Sequence, residues 1–160
     1  RKKAKEIARL VKEGDKILEI GSGGKNEKGE YYFSVEKYFR NKKVEFIMSD
    51  INPAFGHRVI DIANFDEIEK YDHILCFSVL DEVYDFEKAL KNLYNALKPG
   101  GNLHIISPAF SPLLLKFHTY FRFTHEFFEE FCRRNKMTLE KIEIHGFKRF
   151  PFAYYIRIEK

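Results

Sequence analysis

The sequence predicts an α/β fold built around a parallel, doubly wound sheet, and three observations predict it. Short apolar segments typical of buried strands recur along the chain, beginning with residues 16–20. Helical patterns of about 10–15 residues separate most of these segments, which is the alternation of a parallel sheet. A glycine-rich turn follows the first strand directly, and open α/β sheets bind ligands at such strand ends.

Length and composition favour one globular domain over residues 1–160. The chain has 160 residues, which is enough for one sizeable core. It is 44% hydrophobic and 32% charged, a balance typical of folded rather than disordered chains. We found no internal repeat, low-complexity tract or linker that would divide it.

Charge and cysteine content exclude several functional classes. The net charge is +4, and the lysines are scattered among glutamates, so a solvated mixed surface is favoured over a nucleic-acid surface. Cys76 and Cys132 have no ligand-type spacing, so neither a disulfide framework nor a metal site is predicted. No apolar run approaches the roughly 20 residues of a membrane span, and no signal peptide is visible. We therefore expect a cytoplasmic protein.

The first half of the chain alternates between helices and strands. An apolar helical face over residues 1–13 ends at Gly14, and a polar loop follows the glycine turn. The further predicted elements of this half are a strand at 16–20, a helix at 31–41, strands at 44–50 and 58–62, and a short helix at 65–70. The candidates for the buried side of the helix at 31–41 are Phe33, Tyr38 and Phe39.

The second half adds two strands to the parallel set and then changes character. It predicts a strand at 72–78, an amphipathic helix at 85–97, a turn at 98–101 and a strand at 102–107. An aromatic, irregular segment precedes a helix that Thr124 caps and that runs to about Asn135. Strand patterns at 138–145 and 152–158 then follow with no helix between them, which predicts an antiparallel pair at the sheet edge.

The glycine turn has three interpretations, and two fail at the same position. A phosphate-binding P-loop requires a second glycine where Asn26 stands. The dinucleotide pattern GxGxxG requires its third glycine at the same residue. The third interpretation is Glu19-Ile20-Gly21-Ser22-Gly23, an acidic residue, an apolar residue and Gly-x-Gly, with Lys25 where a further glycine often stands.

Together with later motifs, this turn resembles the class I S-adenosylmethionine-dependent methyltransferases, and most closely their small-molecule branch. Asp50 ends the second strand, and Asp61 follows at the third. Residues 71–83 resemble the fourth-strand motif of that family, and residues 97–103 resemble the turn into its fifth strand. The resemblance covers roughly residues 15–146.

The resemblance implies a fold and a cofactor. The fold is a Rossmann-like, seven-stranded sheet of order 3-2-1-4-5-7-6, with the last strand antiparallel and helices on both faces. The cofactor is S-adenosylmethionine. The cofactor-binding residues that it implies are Glu19, Gly21, Ser22, Gly23, Asp50, Ile51, Asp61, Ile62, Phe77 and Ser78.

Five of these residues have stated roles, and alternatives stay open for the two aspartates. The Asp50 carboxylate would accept hydrogen bonds from both ribose hydroxyls. Asp61 would accept from the adenine amino group, while Ile62 would pack on the ring. Asp61 could instead cap a helix or turn, and Asp50 could have a purely structural role. Phe77 and Ser78 would face the methionine part of the cofactor.

The implied reaction is an in-line methyl transfer to an acceptor that the sequence leaves unidentified. Such a transfer depends mainly on positioning and desolvation, and it requires a general base only if the acceptor atom is protonated. Candidate bases are Asp81, His118, Tyr120 and His125, although a surface or packing role is favoured for each histidine. Glu82 stands near the position where many relatives carry histidine.

The aromatic segment after the fifth strand is the candidate acceptor pocket. Its apolar side chains would bind a small or partly apolar molecule, or they would simply pack over the sheet. The candidates are Leu113, Leu114, Leu115, Phe117, Tyr120, Phe121 and Phe123.

Two other functions compete with methyl transfer. One is a degenerate family member that acts only as a binding module. The other is a nicotinamide-dependent oxidoreductase, which the asparagine at position 26 and the terminal strand pair disfavour. The oligomeric state stays open.

Overall fold

The computed structural model describes residues 2–109, 119–147 and 150–160. Three α-helices and seven strands occur in these ranges. In chain order they are α1 (Lys2–Leu10), β1 (Lys16–Ile20), β2 (Glu45–Asp50), β3 (Arg58–Val59), β4 (Tyr71–Phe77), α2 (Phe86–Ala96), β5 (Leu97–Pro108), α3 (His125–Asn135), β6 (Thr138–Phe147) and β7 (Phe150–Glu159).

The seven strands form one mixed sheet in the order β3-β2-β1-β4-β5-β7-β6. The first five strands pair in parallel. β7 lies antiparallel between β5 and β6. The predicted fold, with its strand order and its antiparallel terminal pair, is confirmed.

Alternate side chains of the central strands pack into two different hydrophobic layers, because successive residues of a strand point to opposite faces of the sheet. Leu18 of β1 packs into the layer that α2 and α3 cover. Ile17, its neighbour, packs into the layer that α1 covers. Both side chains are fully buried, so the first strand is covered on both faces, as its apolar run predicts.

The helix predicted over residues 31–41 is wrong, since only a single 3-10 turn forms there, at Glu36–Tyr38. The Val35 amide, which would bond within such a helix, donates instead to Glu19, and the Ser34 hydroxyl donates to the same carboxylate. Phe33, expected on the buried side of that helix, is 55% exposed.

The short helix predicted at 65–70 is also wrong. A 3-10 turn lies just before it, at Ile62–Asn64. The amides of Glu69 and Lys70 donate to carbonyls at the end of α2, so they are not available for a local helix.

Several element boundaries differ from the prediction as well. The strand predicted at 58–62 is only Arg58–Val59, because Asp61 caps the 3-10 turn that begins at Ile62. α1 ends at Leu10, whose side chain is 51% exposed rather than buried. β5 begins at Leu97 and includes the predicted turn at 98–101, where Gly100 adopts a φ of 78°.

Candidate cofactor and acceptor site

A cavity of about 600 Å³ opens at the carboxyl ends of β1, β2 and β4. This is the edge at which parallel α/β sheets bind ligands, and the volume lies within the usual range for small-molecule pockets. Apart from Glu19 and Ser22, the predicted cofactor residues line the cavity. They are Gly21, Gly23, Asp50, Ile51, Asp61, Ile62, Phe77 and Ser78.

The glycine turn forms one wall of this cavity, and its backbone requires glycine. Gly21 and Gly23 have φ values of 73° and 67°, in the left-handed region. A Cβ atom on Gly21 would lie 2.4 Å from Val79 Cγ2, and one on Gly23 would lie 2.6 Å from Phe33 Cδ2. The turn is therefore a cradle that a larger residue would fill.

Glu19 supports this turn from beneath the cavity. Its side chain is buried, and its carboxylate accepts hydrogen bonds from the Ser22 hydroxyl at 2.7 Å, the Ser34 hydroxyl at 2.5 Å and the Val35 amide at 2.7 Å. Burial raises the pKa of this carboxyl above its ordinary value, although the three donors oppose the rise. Glu19 and Ser22 thus hold the loop that follows β1, and a direct contact with a cofactor stays a prediction for both.

Asp50 joins the end of β2 to the glycine turn. Its Oδ2 accepts the Gly23 amide at 2.9 Å, and its Oδ1 accepts the Asn52 amide at 3.0 Å. Each carboxylate oxygen can accept more than one hydrogen bond, so both keep a free acceptor position. The two oxygens can therefore receive a pair of neighbouring hydroxyl groups.

Asp61 caps the 3-10 turn at Ile62–Asn64. Its carboxylate accepts the Ala63 amide at 3.0 Å and the Asn64 side-chain amide at 2.7 Å. The capping role left open by the sequence is therefore present. Asp61 and Ile62 also line the cavity, so the predicted adenine contact is compatible with the cap and stays a prediction.

Ser78 and Asp81 carry the wall of the cavity beyond β4. Ser78 has a left-handed φ of 55° and donates its amide to the Ile106 carbonyl at 2.7 Å. Asp81 is only 3% exposed, and its Oδ1 has no hydrogen-bond partner. Burial raises the pKa of the Asp81 carboxyl, and the Arg122 guanidinium, 3.9 Å from Oδ2, opposes the rise. The buried Oδ1 of Asp81, which has no hydrogen-bond partner, is therefore an unusual polar atom on the cavity wall.

Two of the other candidate bases, Tyr120 and His125, do not line the cavity. Tyr120 is 58% exposed and lies edge-on to Tyr84. His125 begins α3, where its ring is tilted over Tyr154. His118 lies outside the described residues, so Asp81 is the candidate that the described structure places at the site.

The described part of the aromatic segment packs mainly over the sheet. Phe121 and Phe123 contact Phe86 edge-on, and Phe123 is buried in the core. Thr119 lines the cavity, whereas Leu113, Leu114, Leu115 and Phe117 lie outside the described residues. For Phe121 and Phe123 the packing interpretation fits the observed contacts.

The sequence analysis missed the two aromatic rings that lie against the glycine turn. Phe33 lies beside Gly23, and Phe55 lies so close to Gly24 that an added Cβ would be 2.9 Å from its ring. Both rings line the cavity. Phe33 had been assigned to a helix core, and Phe55 follows a proline in a loop, so no periodic signal marked either residue.

Lys25, where a further glycine of the motif would stand, does not adopt the left-handed conformation. It forms an isolated antiparallel bridge with Tyr31, and its Nζ lies 5.1 Å from the centre of that ring. The loop therefore accommodates a side chain at this position.

Within residues 2–109, 119–147 and 150–160, no group of three or more His, Cys, Asp or Glu side chains could hold a metal ion. None of the helices in these ranges is long and apolar enough to cross a membrane. Cys76 and Cys132 are both buried and unpaired.

Solved structures with the same fold cover nearly the whole chain. A protein from Bacillus halodurans C-125 described as a methyltransferase has a TM-score of 0.74 and 11% identity, covering 99% of this chain and 97% of its own. A TehB-like methyltransferase from Corynebacterium glutamicum ATCC 13032 has a TM-score of 0.71 and 20% identity, with coverages of 98% and 86%.

A third structure holds the product of the cofactor. It is the 1,6-didemethyltoxoflavin-N1-methyltransferase of Burkholderia thailandensis with bound S-adenosylhomocysteine, at a TM-score of 0.69 and 15% identity. It covers 99% of this chain and 76% of its own. These identities support the fold, and no curated protein sequence matches the chain.

The family follows from a sequence model rather than from these distant structures. The model described as a methyltransferase domain matches residues 1–142, which is most of the chain. The family and the fold predicted from the glycine turn and its downstream acids are confirmed, and the match supports S-adenosylmethionine as the cofactor. The chain belongs to the methyltransferase-domain family.

Proposed function

We propose that this chain binds S-adenosylmethionine in the cavity and transfers its methyl group to a small, partly apolar acceptor. The observation that carries the proposal is the bond between the Gly23 amide and Asp50 Oδ2, at 2.9 Å. It joins the glycine turn and the acidic strand end into one rigid wall. A nucleoside with an amino-acid tail requires both features at adjacent positions.

The residues present fit this cofactor. The two Asp50 oxygens keep acceptor positions side by side, as the vicinal hydroxyls of a ribose require. Asp61 and Ile62 provide a carboxylate and an apolar side chain at the next strand end, suited to the amino group and the ring of adenine. Phe77 and Ser78 are left for the methionine part.

The charge of the cavity also suits a cationic cofactor. Four carboxylates line it, and the described lining contains no lysine, arginine or histidine. The bound cofactor supplies a methyl group on a positively charged sulfur. Side chains such as Phe33, Phe55 and Val79 exclude water around it, and desolvation of this kind assists a displacement between two bound groups.

A binding module without catalysis is the second candidate. Its support is the segment after the glycine turn, where a single 3-10 turn replaces the predicted helix. A nicotinamide-dependent oxidoreductase has less support, because the antiparallel β7 between β5 and β6 departs from the dinucleotide-binding strand order. We also propose a cytoplasmic location, which suits two unpaired cysteines.

Isothermal titration of the purified chain with S-adenosylmethionine, S-adenosylhomocysteine and NAD tests the proposal. We expect the first two to bind and NAD not to bind. Asp50→Ala is expected to weaken binding of both sulfur compounds by about 1.5–3 kcal/mol, the scale of lost hydrogen bonds to a charged group.

Asp66→Ala is the matched control, because Asp66 is an exposed aspartate that does not line the cavity. Its affinities should equal those of the wild type. Absence of binding by both sulfur compounds would reject the proposed cofactor, and an unchanged affinity in Asp50→Ala would mean that Asp50 does not hold the ribose. Binding without methyl transfer to quinol, lipid, glycan or RNA fractions would favour the binding module.

A further inference from the structure

We infer that the methyl acceptor is a basic nitrogen compound, and that Asp81 binds its N–H group. This inference rests on the proposed function, because it assigns the part of the cavity that the cofactor leaves free. It names the chemical class of the acceptor, an amine or a basic nitrogen heterocycle with an apolar body.

The first observation is the state of Asp81 itself. Asp81 is only 3% exposed and lines the cavity, and its Oδ1 lacks any hydrogen-bond partner. A buried carboxylate oxygen without a partner is unfavourable unless a ligand supplies a hydrogen-bond donor. Arg122 approaches the other oxygen, at 3.9 Å, which is too long for a hydrogen bond.

The second observation is how the other acids of the cavity are used. Asp50 accepts two backbone amides and Asp61 caps a 3-10 turn, both at the end proposed for ribose and adenine. Asp81 and Glu82 follow β4 and lie beyond the residues proposed to face the methionine part. Asp81 therefore belongs to the part of the cavity wall that the proposed cofactor contacts leave unassigned.

The described lining contains no lysine, arginine or histidine, and the Arg122 guanidinium approaches only Oδ2 of Asp81, which leaves Oδ1 without a hydrogen-bond donor. An acceptor with a carboxylate or phosphate beside Asp81 would bring two negative charges together in a desolvated space. A protonated or N–H-bearing nitrogen would instead make a charge-assisted hydrogen bond to Oδ1. The adjoining wall of Val79, Val83 and Pro108 suits an apolar body next to that nitrogen.

The same contact prepares the nitrogen for reaction. An ammonium group first gives one proton to solvent. This leaves a lone pair on the nitrogen, while a remaining N–H of the acceptor donates a hydrogen bond to the Asp81 carboxylate. The lone pair then forms the new N–C bond as the C–S bond breaks, and the bond's electron pair stays on sulfur. Positive charge passes from sulfur to nitrogen, so the negative Asp81 carboxylate faces the product cation and stabilises it.

Three probes of similar size test the inference: 2-phenylethylamine, 2-phenylethanol and phenylacetate, each titrated into protein saturated with S-adenosylhomocysteine. We expect the amine to bind about tenfold more tightly than the alcohol, and phenylacetate to bind most weakly. Asp81→Asn, which keeps the size and removes the charge, should weaken amine binding about tenfold and leave alcohol binding within about twofold.

Asp85→Asn is the matched control, since Asp85 is exposed and outside the cavity. It should keep the amine preference. Glu82→Gln changes the exposed second acid and should weaken amine binding by about threefold, which gives a result even if Asp81→Asn does not fold.

Phenylacetate binding as tightly as the amine, no detectable amine binding, or an unchanged preference in Asp81→Asn would each overturn the inference. So would an Asp81→Asn variant that loses affinity for S-adenosylmethionine but not for S-adenosylhomocysteine, because Asp81 would then serve the sulfonium. Failure of S-adenosylhomocysteine to bind the wild type is a separate result, which rejects the proposed function.

Discussion

The Val35 amide donates a hydrogen bond to Glu19 Oε1 at 2.7 Å, across fifteen intervening residues of the loop that leaves the first strand. The Ser34 hydroxyl and the Ser22 hydroxyl bind the other oxygen of the same carboxylate. One buried acid therefore holds both ends of the segment that contains the glycine turn. In place of a helix, this network shapes the wall of the cavity.

We expect Glu19→Ala to destabilise the fold by about 3 kcal/mol, because it leaves two hydroxyls and an amide without their buried acceptor. Glu19→Gln should lose about half as much, since its carbonyl oxygen can still accept from Val35. Urea unfolding measures both changes. Glu27→Ala, at an exposed acid of the same loop, is the control and should stay within about 0.5 kcal/mol of the wild type.

A Glu19→Ala variant as stable as the wild type would show that water replaces the carboxylate. In that case the loop would owe its shape to Phe39 and Val35, the buried apolar side chains of the same segment.

Two glycines with similar backbone angles separate conformational strain from steric contact. Gly14 and Gly21 have φ values of 87° and 73°, but an added Cβ meets no atom within 4 Å at Gly14 and meets Val79 Cγ2 at 2.4 Å at Gly21. We expect Gly14→Ala to cost about 1 kcal/mol from strain alone, and Gly21→Ala about 3 kcal/mol or more in urea unfolding.

Val79→Ala completes this experiment, because it removes the methyl group that the new Cβ would strike. In the Val79→Ala background, Gly21→Ala should cost only about 1 kcal/mol, as at Gly14. An equal cost in both backgrounds would place the strain in the backbone and not in the contact with Val79.

The strand pattern was predictable because buried parallel strands have continuous apolar runs. β1, β2 and β4 begin and end within a residue of their predicted limits. The position of Asp50 was predictable for the same reason, since a carboxylate that closes an apolar parallel strand lies at the ligand edge of the sheet. The strand order needed more than periodicity, and it came from the resemblance to a family.

The loops were not predictable, because their structure depends on long-range polar partners. The helical pattern at 31–41 has suitable spacing, but Glu19 binds Ser34 and Val35 where the helix would begin. The segment at 65–70 donates its amides to the end of α2 instead of to itself. No local pattern indicates either pairing, and the contacts of Phe33 and Phe55 with the glycine turn follow from these loop paths.

A chain of buried polar groups lies at the opposite edge of the sheet from the cavity. His104 is fully buried; its Nδ1 lies 2.8 Å from the Tyr155 hydroxyl, and its Nε2 lies 3.1 Å from His73 Nδ1. His73 Nε2 in turn lies 3.3 Å from Asp15. Burial lowers the pKa of both histidines. The neighbouring His73, Arg157 and Lys3 lower the pKa of His104 further, whereas Asp15 opposes the lowering at His73.

This row of buried polar groups predicts that acid destabilises the fold below the ordinary histidine pKa. A histidine whose pKa is lowered by folding stays neutral in the native state, whereas the unfolded chain takes up a proton as the pH falls through about 6.5. Stability is therefore complete above that pH and is lost below it. Between pH 7 and pH 5, the free energy of unfolding of His104→Gln, whose new side chain cannot ionise, should fall by on the order of 1–2 kcal/mol less than that of the wild type.

Urea unfolding at each pH, at constant ionic strength, measures this difference in slope. His145→Gln is the matched control, because His145 lies on the edge strand β6 with an exposed side chain. It should follow the wild-type slope. If His104→Gln also follows the wild-type slope, the proton that the native state excludes belongs to another group, and His73→Gln then tests the partner of Asp15 directly.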